Sequence, residues 1–426
     1  MTRNLICAVL TGLAFSTARA GVPEPAGSGG RTGPVCAAPP PSPASEVPGE
    51  WTVLVFMNGK NNLESYGLAD LNEMETAGST DKVNIVAELG RSKANDTSDG
   101  DWKGARRFLV QKDADPDKVT SPVLAELPDA DMGDWRHLAD FIAWGKDRFP
   151  ARHYMLIVWD HGDGWKGRAP AARGISTDDE TGHSISTGQL GLALERTGRL
   201  DLFGMDACIM QMAEVAWTAR NTADYILASE EVVPNEGQRY DLFFAGLAGN
   251  PALTAEELGR HAVKVYADHY EALKRSGTMS LIRAEALPKF AALLDEWTDT
   301  VILKQERMAV HESRGRVQQF WYDDNIDIYH LIQLTNKAPY LSKTVAEKGA
   351  ALLGLMDKEL VVSNRRIGGQ YANAHGLAIY MPKEWQDPAY NSLDWAAATK
   401  WEKFCAWMLG KFLSPSNSPY RKATPP

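Results

Sequence analysis

Residues 154–165 read Tyr-Met-Leu-Ile-Val-Trp-Asp-His-Gly-Asp-Gly-Trp, an apolar run that turns abruptly polar. A short, uninterrupted run of large apolar residues is typical of a strand that is buried on both faces of a parallel sheet. The polar residues after it would then lie at the carboxyl end of the strand, where open parallel sheets bind their ligands. This stretch therefore predicts a central strand followed by a functional loop.

The sequence on either side alternates between strand and helix patterns. Further β-rich apolar runs lie at 53–57, 83–89, 200–205 and 225–228, and helical patterns lie at 138–144, 190–194 and 210–219. This alternation predicts an α/β fold, in which helices cover both faces of a mostly parallel sheet. Later in the chain the pattern is largely helical, over 258–273, 290–303 and 345–362, and 376–381 is again typical of a buried strand.

Composition divides the chain into five segments. We predict a secretory signal peptide over 1–20, because a basic start is followed by an apolar run and then by Ala18-Arg19-Ala20. We predict a Pro- and Gly-rich linker over 21–49, a sheet-forming core over 50–250, a helical C-terminal part over 251–412 that contributes a further strand, and a loose tail over 413–426. No later run reaches the ~18 apolar residues of a membrane-spanning helix, so we expect a secreted or periplasmic protein without a span in its mature chain.

The charge balance argues against a nucleic-acid partner. The chain has 45 basic and 55 acidic side chains and a formal net charge of -10, which offers no basic surface to a phosphate backbone. Hydrophobic residues make up 44% of the chain, enough for a large core. We therefore expect a globular protein that does not bind nucleic acid.

Cys208 is the cysteine that most needs an explanation. Removal of Cys7 with the signal peptide leaves Cys36, Cys208 and Cys405, an odd number in an oxidising compartment, so at least one thiol stays free or pairs with another chain. Cys36 lies in the linker and Cys405 in a helical pattern. Cys208 instead follows an apolar strand, in Asp206-Ala207-Cys208, with the same strand-to-polar transition as the stretch quoted above.

His161 and Cys208 are the candidate catalytic residues. A thiol that attacks a carbonyl needs a nearby imidazole to take its proton and return it to the leaving group, and both must reach one cleft. The amides of Gly162 and Cys208 are candidates for an oxyanion hole. We also predict that a helix starting after Cys208 lowers the pKa of its thiol. A solvated loop histidine and a buried structural cysteine are the alternative interpretations.

Further motifs accompany this pair over about residues 51–410. They are Trp51-Thr52-Val53-Leu54-Val55, Asn61-Asn62-Leu63-Glu64, Trp159-Asp160-His161-Gly162, Asp206-Ala207-Cys208, Ala228-Ser229-Glu230-Glu231 and Gly376-Leu377-Ala378-Ile379-Tyr380-Met381-Pro382. Together they resemble the clostripain family of cysteine peptidases, which are relatives of caspases and gingipains. The separation of His161 from Cys208 is also close to the ~50 residues typical of caspases.

The resemblance implies a caspase-like, mostly parallel sheet flanked by helices, with a largely helical C-terminal subdomain. It implies that His161 and Cys208 form the dyad of an endopeptidase that acts on proteins or peptides. It also implies that Asp206 belongs to a pocket selecting Arg or Lys. Residues two apart on a strand face the same way, which agrees with Asp206 and Cys208 lining one cleft. The alternative is that Asp206 only braces the loop.

Self-processing between the two dyad residues is a further implication of the resemblance. The stretch 166–174 is rich in basic and small residues, which predicts an exposed loop that is open to nicking. Lys166 and Arg173 are the leading self-cleavage candidates, and Arg168 is weaker because Pro170 stiffens the chain after it. A loop that is exposed but never cut is the alternative.

Two departures from the family pattern concern the substrate pocket. Lys60 stands where the family usually has Asp, and the loop after Pro234 reads Asn235-Glu236-Gly237-Gln238, where a Gly and a Trp are expected. Glu236 is either a second acidic pocket wall or a solvated carboxylate. The run Asp178-Asp179-Glu180 is either a calcium site, since some family members depend on calcium, or a solvated acidic loop. The chemistry itself requires no cofactor, and calcium binding stays open.

Other functions fit parts of the pattern. Asp160, His161 and Asp163 have the residue types of a metal-dependent hydrolase, but a second cluster is missing. The run 182–186 resembles a serine nucleophile elbow without its final glycine. A non-catalytic binding module on a caspase-like scaffold is the remaining alternative.

Overall fold

The structure, a computed structural model, describes residues 48–92, 96–115, 117–165 and 174–410. Its strands are β1 (Gly49–Gly59), β2 (Val83–Arg91), β3 (Gly104–Leu109), β4 (Val123–Leu127), β5 (Ala151–Trp159), β6 (Ile175–Thr177), β7 (Ser184–Ile185), β8 (Leu200–Asp206), β9 (Ala223–Ala228), β10 (Gly277–Arg283), β11 (Asn325–Asp327), β12 (Val361–Ile367) and β13 (Ala378–Tyr380). Its α-helices are α1 (Glu64–Ala77), α2 (Trp135–Arg148), α3 (Thr187–Thr197), α4 (Ala213–Ala219), α5 (Tyr240–Gly249), α6 (Ala255–Ala272), α7 (Leu287–Leu303), α8 (Arg307–Arg314), α9 (Ile328–Asn336), α10 (Lys343–Leu355), α11 (Asp394–Ala398) and α12 (Trp401–Met408).

A nine-stranded sheet runs through the described residues in the order β12-β10-β9-β8-β5-β1-β2-β3-β4. The middle strands β9, β8, β5, β1 and β2 are parallel, and antiparallel strands extend the sheet at both edges. The chain passes from β1 to β2 on one side, whereas β5 lies on the other side of β1, so the strand order reverses between β1 and β5. Such a reversal opens a crevice at the carboxyl ends of the strands.

The two faces of the sheet carry separate hydrophobic cores, as the alternation of side chains along a strand requires. In β1, Leu54 and Phe56 pack on the face that α2, α3, α4 and α7 cover. Val55 and Met57 pack on the opposite face, which α1, α5 and α6 cover. All four side chains are fully buried. The apolar run of β1 is thus buried on both sides, as its composition predicts.

The α/β fold class predicted from the sequence is confirmed. Each predicted core strand lies within an observed one, namely β1, β2, β5, β8 and β9, and the predicted helices at 138–144 and 190–194 lie within α2 and α3. The edge strands β3 and β4 were not predicted, because β3 carries two adjacent arginines and β4 is short and partly exposed. α3 begins at a capping box formed by Ser186 and Gln189, which fixes its first turn.

The C-terminal part both covers and extends the sheet. α6 and α7 match the predicted helices at 258–273 and 290–303, and β10 and β12 add two strands to the sheet edge. The predicted helix at 345–362 is wrong at its end, because α10 passes through a π-helical turn (Met356–Leu360) into β12. The predicted strand at 376–381 is observed as β13, which pairs with β11 outside the main sheet.

No helix in the described ranges is long and apolar enough to cross a membrane. The predicted signal peptide, the predicted linker up to residue 47, Cys36 and the predicted tail all lie outside the described residues.

Candidate active site

The carboxyl ends of β5 and β8 lie side by side. The two strands are parallel neighbours, and Trp159 at the end of β5 pairs with Asp206 at the end of β8. Beyond the strands, the amide of Asp160 donates a hydrogen bond to the carbonyl of Asp206 at 3.3 Å. His161 and Cys208 therefore emerge at the same edge of the sheet, and both line one cleft.

The cleft is lined by residues from the ends of four strands. Leu63 follows β1, His161 follows β5, and Asp206 and Cys208 belong to the end of β8. Residues 233–235, which follow β9, form the remaining wall. The cleft thus lies at the reversal of strand order between β1 and β5, where the topology opens a crevice.

Two glycines let the loop after β5 press against the loop after β8. A Cβ atom on Gly162 would lie 2.4 Å from the carbonyl oxygen of Cys208 and 2.9 Å from Cγ of Met210. A Cβ atom on Gly164 would lie 2.6 Å from Sδ of Met212. Larger residues would push the two loops apart, and with them His161 and Cys208.

The φ angle of Gly164 is +64°, which lies in the left-handed region that favours glycine. The bend at this residue turns the chain back, so that the amide of Asp163 donates to the carbonyl of Gly174 at 2.9 Å. Asp163 and Gly174, which lie on either side of residues 166–173, are therefore held next to each other.

Cys208 lies in a turn that is held by its neighbours on both sides. The thiol is half-buried, and its sulfur accepts a hydrogen bond from the amide of Val233 at 3.4 Å. The next residue, Ile209, has a φ of +53°, a strained conformation for a β-branched side chain. The amide of Ile209 donates to the carbonyl of Glu231 at 3.1 Å, which holds the strained turn in place.

The prediction that a helix start lowers the pKa of the Cys208 thiol is wrong. α4 begins only at Ala213, so Cys208 does not lie at its first turn. Burial, together with the charges of Asp206, Glu231 and Asp163, raises the pKa of the thiol to about 12, against the opposing effect of the Val233 amide. The thiol is therefore protonated at neutral pH in this structure.

Residues of the C-terminal part form hydrogen bonds with the loop after Cys208. The amide of Ala378 donates to the carbonyl of Gln211 at 2.9 Å, and the side-chain amide of Gln211 donates to Oγ of Ser280 at 2.9 Å. Glu214 in α4 accepts hydrogen bonds from the amide of Tyr380 at 2.9 Å and the hydroxyl of Tyr390 at 2.7 Å. The C-terminal part thus helps to shape the loop that carries Cys208.

His161 contacts Asn62, a residue of the motif Asn61-Asn62-Leu63-Glu64 to which the sequence analysis assigned no role. Its Nε2 lies 2.8 Å from Oδ1 of Asn62, which belongs to the turn between β1 and α1. The neighbouring Asp160 also lines the cleft, but its carboxylate is occupied by other partners. Its buried carboxylate accepts hydrogen bonds from the side-chain amides of Asn58 at 3.3 Å and Asn61 at 2.7 Å, and from the amide of Thr177.

Asp206 presents its carboxylate to neutral donors. Oδ2 accepts hydrogen bonds from the amide of Gln238 at 2.9 Å and from the hydroxyl of Tyr240 at 2.9 Å. Burial raises the pKa of Asp206 above its usual value, and these two donors oppose the shift. No ion pair to Asp206 occurs within the described ranges. The cleft therefore contains a carboxylate without a basic partner from this part of the chain.

Two acids of α1 lie near Asp206 and were missed in the sequence. Asp70 is buried and accepts a hydrogen bond from Nε1 of Trp159 at 2.7 Å. Burial raises the pKa of Asp70 well above its usual value, and the charge of Asp206 acts in the same direction. Glu73 accepts a hydrogen bond from the amide of Tyr240 at 3.1 Å. A carboxylate among the buried leucines of α1 is the signal that could have identified Asp70.

Glu236, the candidate second acidic wall, already has a basic partner. Nη1 of Arg275 donates to its Oε2 at 2.7 Å, and both side chains are 46% exposed. This hydrogen bond lowers the pKa of Glu236. A substrate cation would have to compete with Arg275 for this carboxylate.

Lys60 neutralises the acidic run that was considered for calcium. Its ammonium is buried, donates to the carbonyl of Ala130, and lies 3.5 Å from Asp178 and 3.3 Å from Glu180. Asp178 also accepts hydrogen bonds from three backbone amides, the nearest being that of Glu180 at 2.9 Å. The lysine that departs from the family pattern therefore occupies the centre of this cluster.

The residues of the two rival hydrolases are not arranged for those reactions. Within the described ranges, no group of three or more His, Cys, Asp or Glu side chains is arranged to hold a metal ion. Asp160 is turned towards Asn58 and Asn61, and Asp163 accepts a hydrogen bond from the hydroxyl of Tyr322 at 2.9 Å. The serine of the elbow-like run, Ser186, caps α3. The self-cleavage candidates Lys166, Arg168 and Arg173 lie outside the described residues.

Comparison with known proteins gives a family match over most of the chain. The model of the clostripain family matches residues 55–408. Clostripain of Hathewaya histolytica is 24% identical over 397 residues, which cover 78% of this chain and 74% of that protein.

Two solved structures share the fold. A secreted cysteine protease from Bacteroides thetaiotaomicron, solved with an irreversible peptide inhibitor, has a TM-score of 0.64 at 20% identity and covers 83% of this chain and 99% of its own. An inactive zymogen protease from Parabacteroides distasonis has a TM-score of 0.62 at 19% identity and covers 84% of this chain and 99% of its own. The caspase-like fold predicted from the motifs is therefore confirmed.

Proposed function

This chain belongs to the clostripain family of cysteine peptidases, and we propose that it hydrolyses peptide bonds after arginine or lysine through His161 and Cys208. Family membership makes it a cysteine endopeptidase whose substrates are proteins or peptides. The observation that carries the finer proposal is the single cleft that His161, Cys208 and Asp206 line together. A nucleophile, a base and a carboxylate for a basic side chain are the groups that this reaction requires.

In the first half of the proposed reaction, the sulfur of Cys208 attacks the carbonyl carbon of the substrate. His161 takes the thiol proton as the C–S bond forms, and the π electrons of the carbonyl move to its oxygen. We assign stabilisation of this oxyanion to the amides of Gly162 and Cys208. The C–N bond then breaks, and the imidazolium of His161 gives its proton to the leaving amine.

The second half of the reaction releases the acid product. His161 takes a proton from a water molecule whose oxygen attacks the thioester carbon. The C–S bond breaks, and the sulfur of Cys208 recovers the proton from the imidazolium. No metal or organic cofactor takes part in either half.

We assign the selectivity for basic residues to Asp206. Its Oδ2 is held by two neutral donors, so the carboxylate is oriented without being neutralised. The guanidinium or ammonium of a substrate would supply the positive partner in a charge-assisted hydrogen bond. We assign Glu236 a smaller role, because Arg275 already pairs with it.

We propose that Asp178 and Glu180 do not form a calcium site. The carboxylates of Asp178 and Glu180 already surround the ammonium of Lys60, which supplies a positive charge between them. A divalent cation at this cluster would be opposed by that charge.

We also propose that the chain is exported and cleaves itself between His161 and Cys208. The predicted signal peptide supports export, and one protein of similar structure is described as secreted. Another is described as an inactive zymogen, a form that needs an activating event. The basic stretch 166–173 offers sites of the proposed specificity, with Lys166 and Arg173 leading and Arg168 third.

The purified chain, assayed on fluorogenic peptides that end in Arg, Lys or Asp, tests this function. We expect hydrolysis after Arg or Lys, no hydrolysis in Cys208→Ala, and a loss of roughly 10²- to 10⁴-fold in His161→Ala. Cys405→Ala is the matched control, because it removes the other described thiol and should keep the activity. A chelator should leave the rate unchanged.

Other results would point to another function. Preference for Asp-ended peptides would contradict the role of Asp206. Activity that survives in Cys208→Ala but is lost with the chelator would indicate a metal-dependent hydrolase. A folded chain that binds peptides but cleaves none of them would indicate a non-catalytic binding module on a caspase-like scaffold.

A further inference from the structure

Asn62 touches the candidate base from a different strand end. Nε2 of His161 lies 2.8 Å from Oδ1 of Asn62, a distance at which the ring N–H donates to the amide oxygen. Asn62 follows β1 and His161 follows β5, and these neighbouring strands flank the reversal of strand order. The contact therefore spans the crevice in which the cleft lies.

The turn that carries Asn62 is anchored to the residue beside His161. On one side of Asn62, the side-chain amide of Asn61 donates to Oδ1 of Asp160 at 2.7 Å and to the carbonyl of Thr177 at 2.9 Å. On the other side, the amide of Leu63 donates to Oδ1 of Asn61 at 2.9 Å. Asp160 immediately precedes His161, so one buried carboxylate sets the position of both partners.

A second anchor holds the start of the same turn. The side-chain amide of Asn58 donates to Oδ2 of Asp160 at 3.3 Å, and its Oδ1 accepts the amide of Lys60 at 3.0 Å. The ammonium of Lys60 is held in turn by Asp178 and the carbonyl of Ala130. Asn62 itself is exposed, so its amide side chain does not contribute to the packing of the core.

We propose that Asn62 is a positioning residue for the peptidase reaction, whose side-chain oxygen accepts the Nε2–H of His161 and so fixes the orientation and tautomer of the ring. A neutral imidazole that donates from Nε2 carries its lone pair on Nδ1. Nδ1 is then the atom that takes the proton of Cys208 and returns it to the leaving amine. The amide oxygen also favours the imidazolium that forms during attack, as the third member of a catalytic triad does.

The inference rests on the proposed function, and its test compares the pH dependence of kcat in Asn62→Ala and Asn62→Asp. Asn62→Ala should lower kcat by roughly 10- to 100-fold and leave KM within about twofold, because Asn62 acts through the ring rather than on the substrate. Asn62→Asp should restore part of kcat and move the acid limb of its pH profile upwards by about one unit, because a carboxylate stabilises the imidazolium.

Asn221→Ala is the matched control, since Asn221 is exposed and precedes β9 at the opposite end of the sheet. It should match the wild type in kcat, KM and pH profile. Thermal unfolding of each variant separates folding from function, and a purely structural role would change Tm without moving the acid limb. An unchanged kcat in Asn62→Ala, or an acid limb of Asn62→Asp at the wild-type position, would overturn the inference.

Cys208→Ala in the same assay separates this inference from the proposed function. If the wild type shows no hydrolysis that Cys208→Ala abolishes, the proposed function fails and the role of Asn62 with it. If hydrolysis depends on Cys208 but both Asn62 variants behave like Asn221→Ala, only the role of Asn62 fails.

Discussion

The Cys208 thiol is half-buried beside the carboxylates of Asp206, Glu231 and Asp163, so loss of its proton is unfavourable. Burial and these charges raise the pKa of the thiol to about 12, which favours the protonated thiol over the thiolate. In the proposed mechanism the proton moves while the C–S bond forms. The rate then depends on how accurately the imidazole of His161 is held.

At the same scale, Asp206→Asn should weaken the hydrolysis of basic substrates. The change keeps the size of the side chain but removes the charge, and kcat/KM should fall by roughly 10²-fold, with a rise in KM. Because burial raises the pKa of Asp206, kcat/KM of the wild type should fall with decreasing pH sooner than an ordinary aspartate would allow. Steady-state kinetics on Arg- and Lys-ended peptides from pH 4 to pH 8, roughly the range in which carboxylates and histidines titrate, measures both effects.

Glu236→Gln is the matched control for Asp206→Asn. Its carboxylate pairs with Arg275 at the surface, so removing its charge should change kcat/KM much less. If Glu236→Gln lowered kcat/KM as much as Asp206→Asn does, the preference for basic residues would not depend on Asp206 in particular.

At the scale of elements, the segment between β5 and β6 contains the self-cleavage candidates, which lie outside the described residues. The amide of Asp163 donates to the carbonyl of Gly174 at 2.9 Å, so the described residues on either side of this segment lie close together. Purified wild type should slowly yield two fragments that stay associated, with a new N-terminus within residues 167–174, because the stretch offers Lys and Arg to a peptidase of the proposed specificity. N-terminal sequencing and size-exclusion chromatography measure the outcome.

Cys208→Ala is the control for self-cleavage and should stay intact under the same conditions. The same cut in Cys208→Ala would show that a contaminating protease makes it. A wild-type enzyme that is active but never cut would show that it does not cleave this segment of its own chain.

The elements that the sequence could predict are those whose burial leaves a simple pattern. The parallel core strands are apolar on both faces, and the polar transitions after β5 and β8 identified His161 and Cys208 as neighbours. β12 was missed because it contains the polar run Asn364-Arg365-Arg366 and directly follows a helix. The β-propensity of single residues predicts a strand poorly where pairing with a neighbouring strand, here β10, determines the structure.

The remainder of the site depends on contacts between distant segments. The contact of Asn62 with His161 joins β1 to β5, and the environment of Cys208 includes Val233 from the segment after β9. A sequence pattern reports local periodicity, so it could not show that burial would raise the pKa of the thiol. It also placed the start of the helix after β8 at residue 210, three residues too early, since α4 begins at Ala213.

At the scale of the whole molecule, Glu214 joins the helix after the nucleophile loop to the C-terminal part. Its Oε1 accepts hydrogen bonds from Tyr380 and Tyr390, and its Oε2 has no hydrogen-bond partner within the described protein atoms. Burial raises the pKa of Glu214 to about 7, against the opposing effect of these two donors. The folded state therefore binds a proton that the unfolded state releases at a lower pH.

Glu214→Gln should raise Tm relative to the wild type at pH 8 but not at pH 5. The pKa of Glu214 is higher in the folded state, so its contribution makes the wild type less stable as pH rises from the unfolded value of about 4.3 to about 7. The glutamine keeps an acceptor for Tyr380 and Tyr390 and removes this titration. Thermal unfolding of both proteins across this range measures the difference in Tm.

Glu285→Gln, at a side chain that is 80% exposed, is the control and should show no such pH-dependent difference. A difference between Glu214→Gln and the wild type that is the same at both pH values would mean that Glu214 does not titrate on folding.

The hydrogen bond from Ala378 to Gln211 has a consequence for the biosynthesis of the enzyme. A ribosome synthesises His161 and Cys208 early, but the segment that completes the loop of the nucleophile emerges only near the end of translation. A nascent or truncated chain that ends before residue 378 thus contains His161 and Cys208 without the hydrogen bond that holds the loop after Cys208. We therefore expect such a chain to lack proteolytic activity.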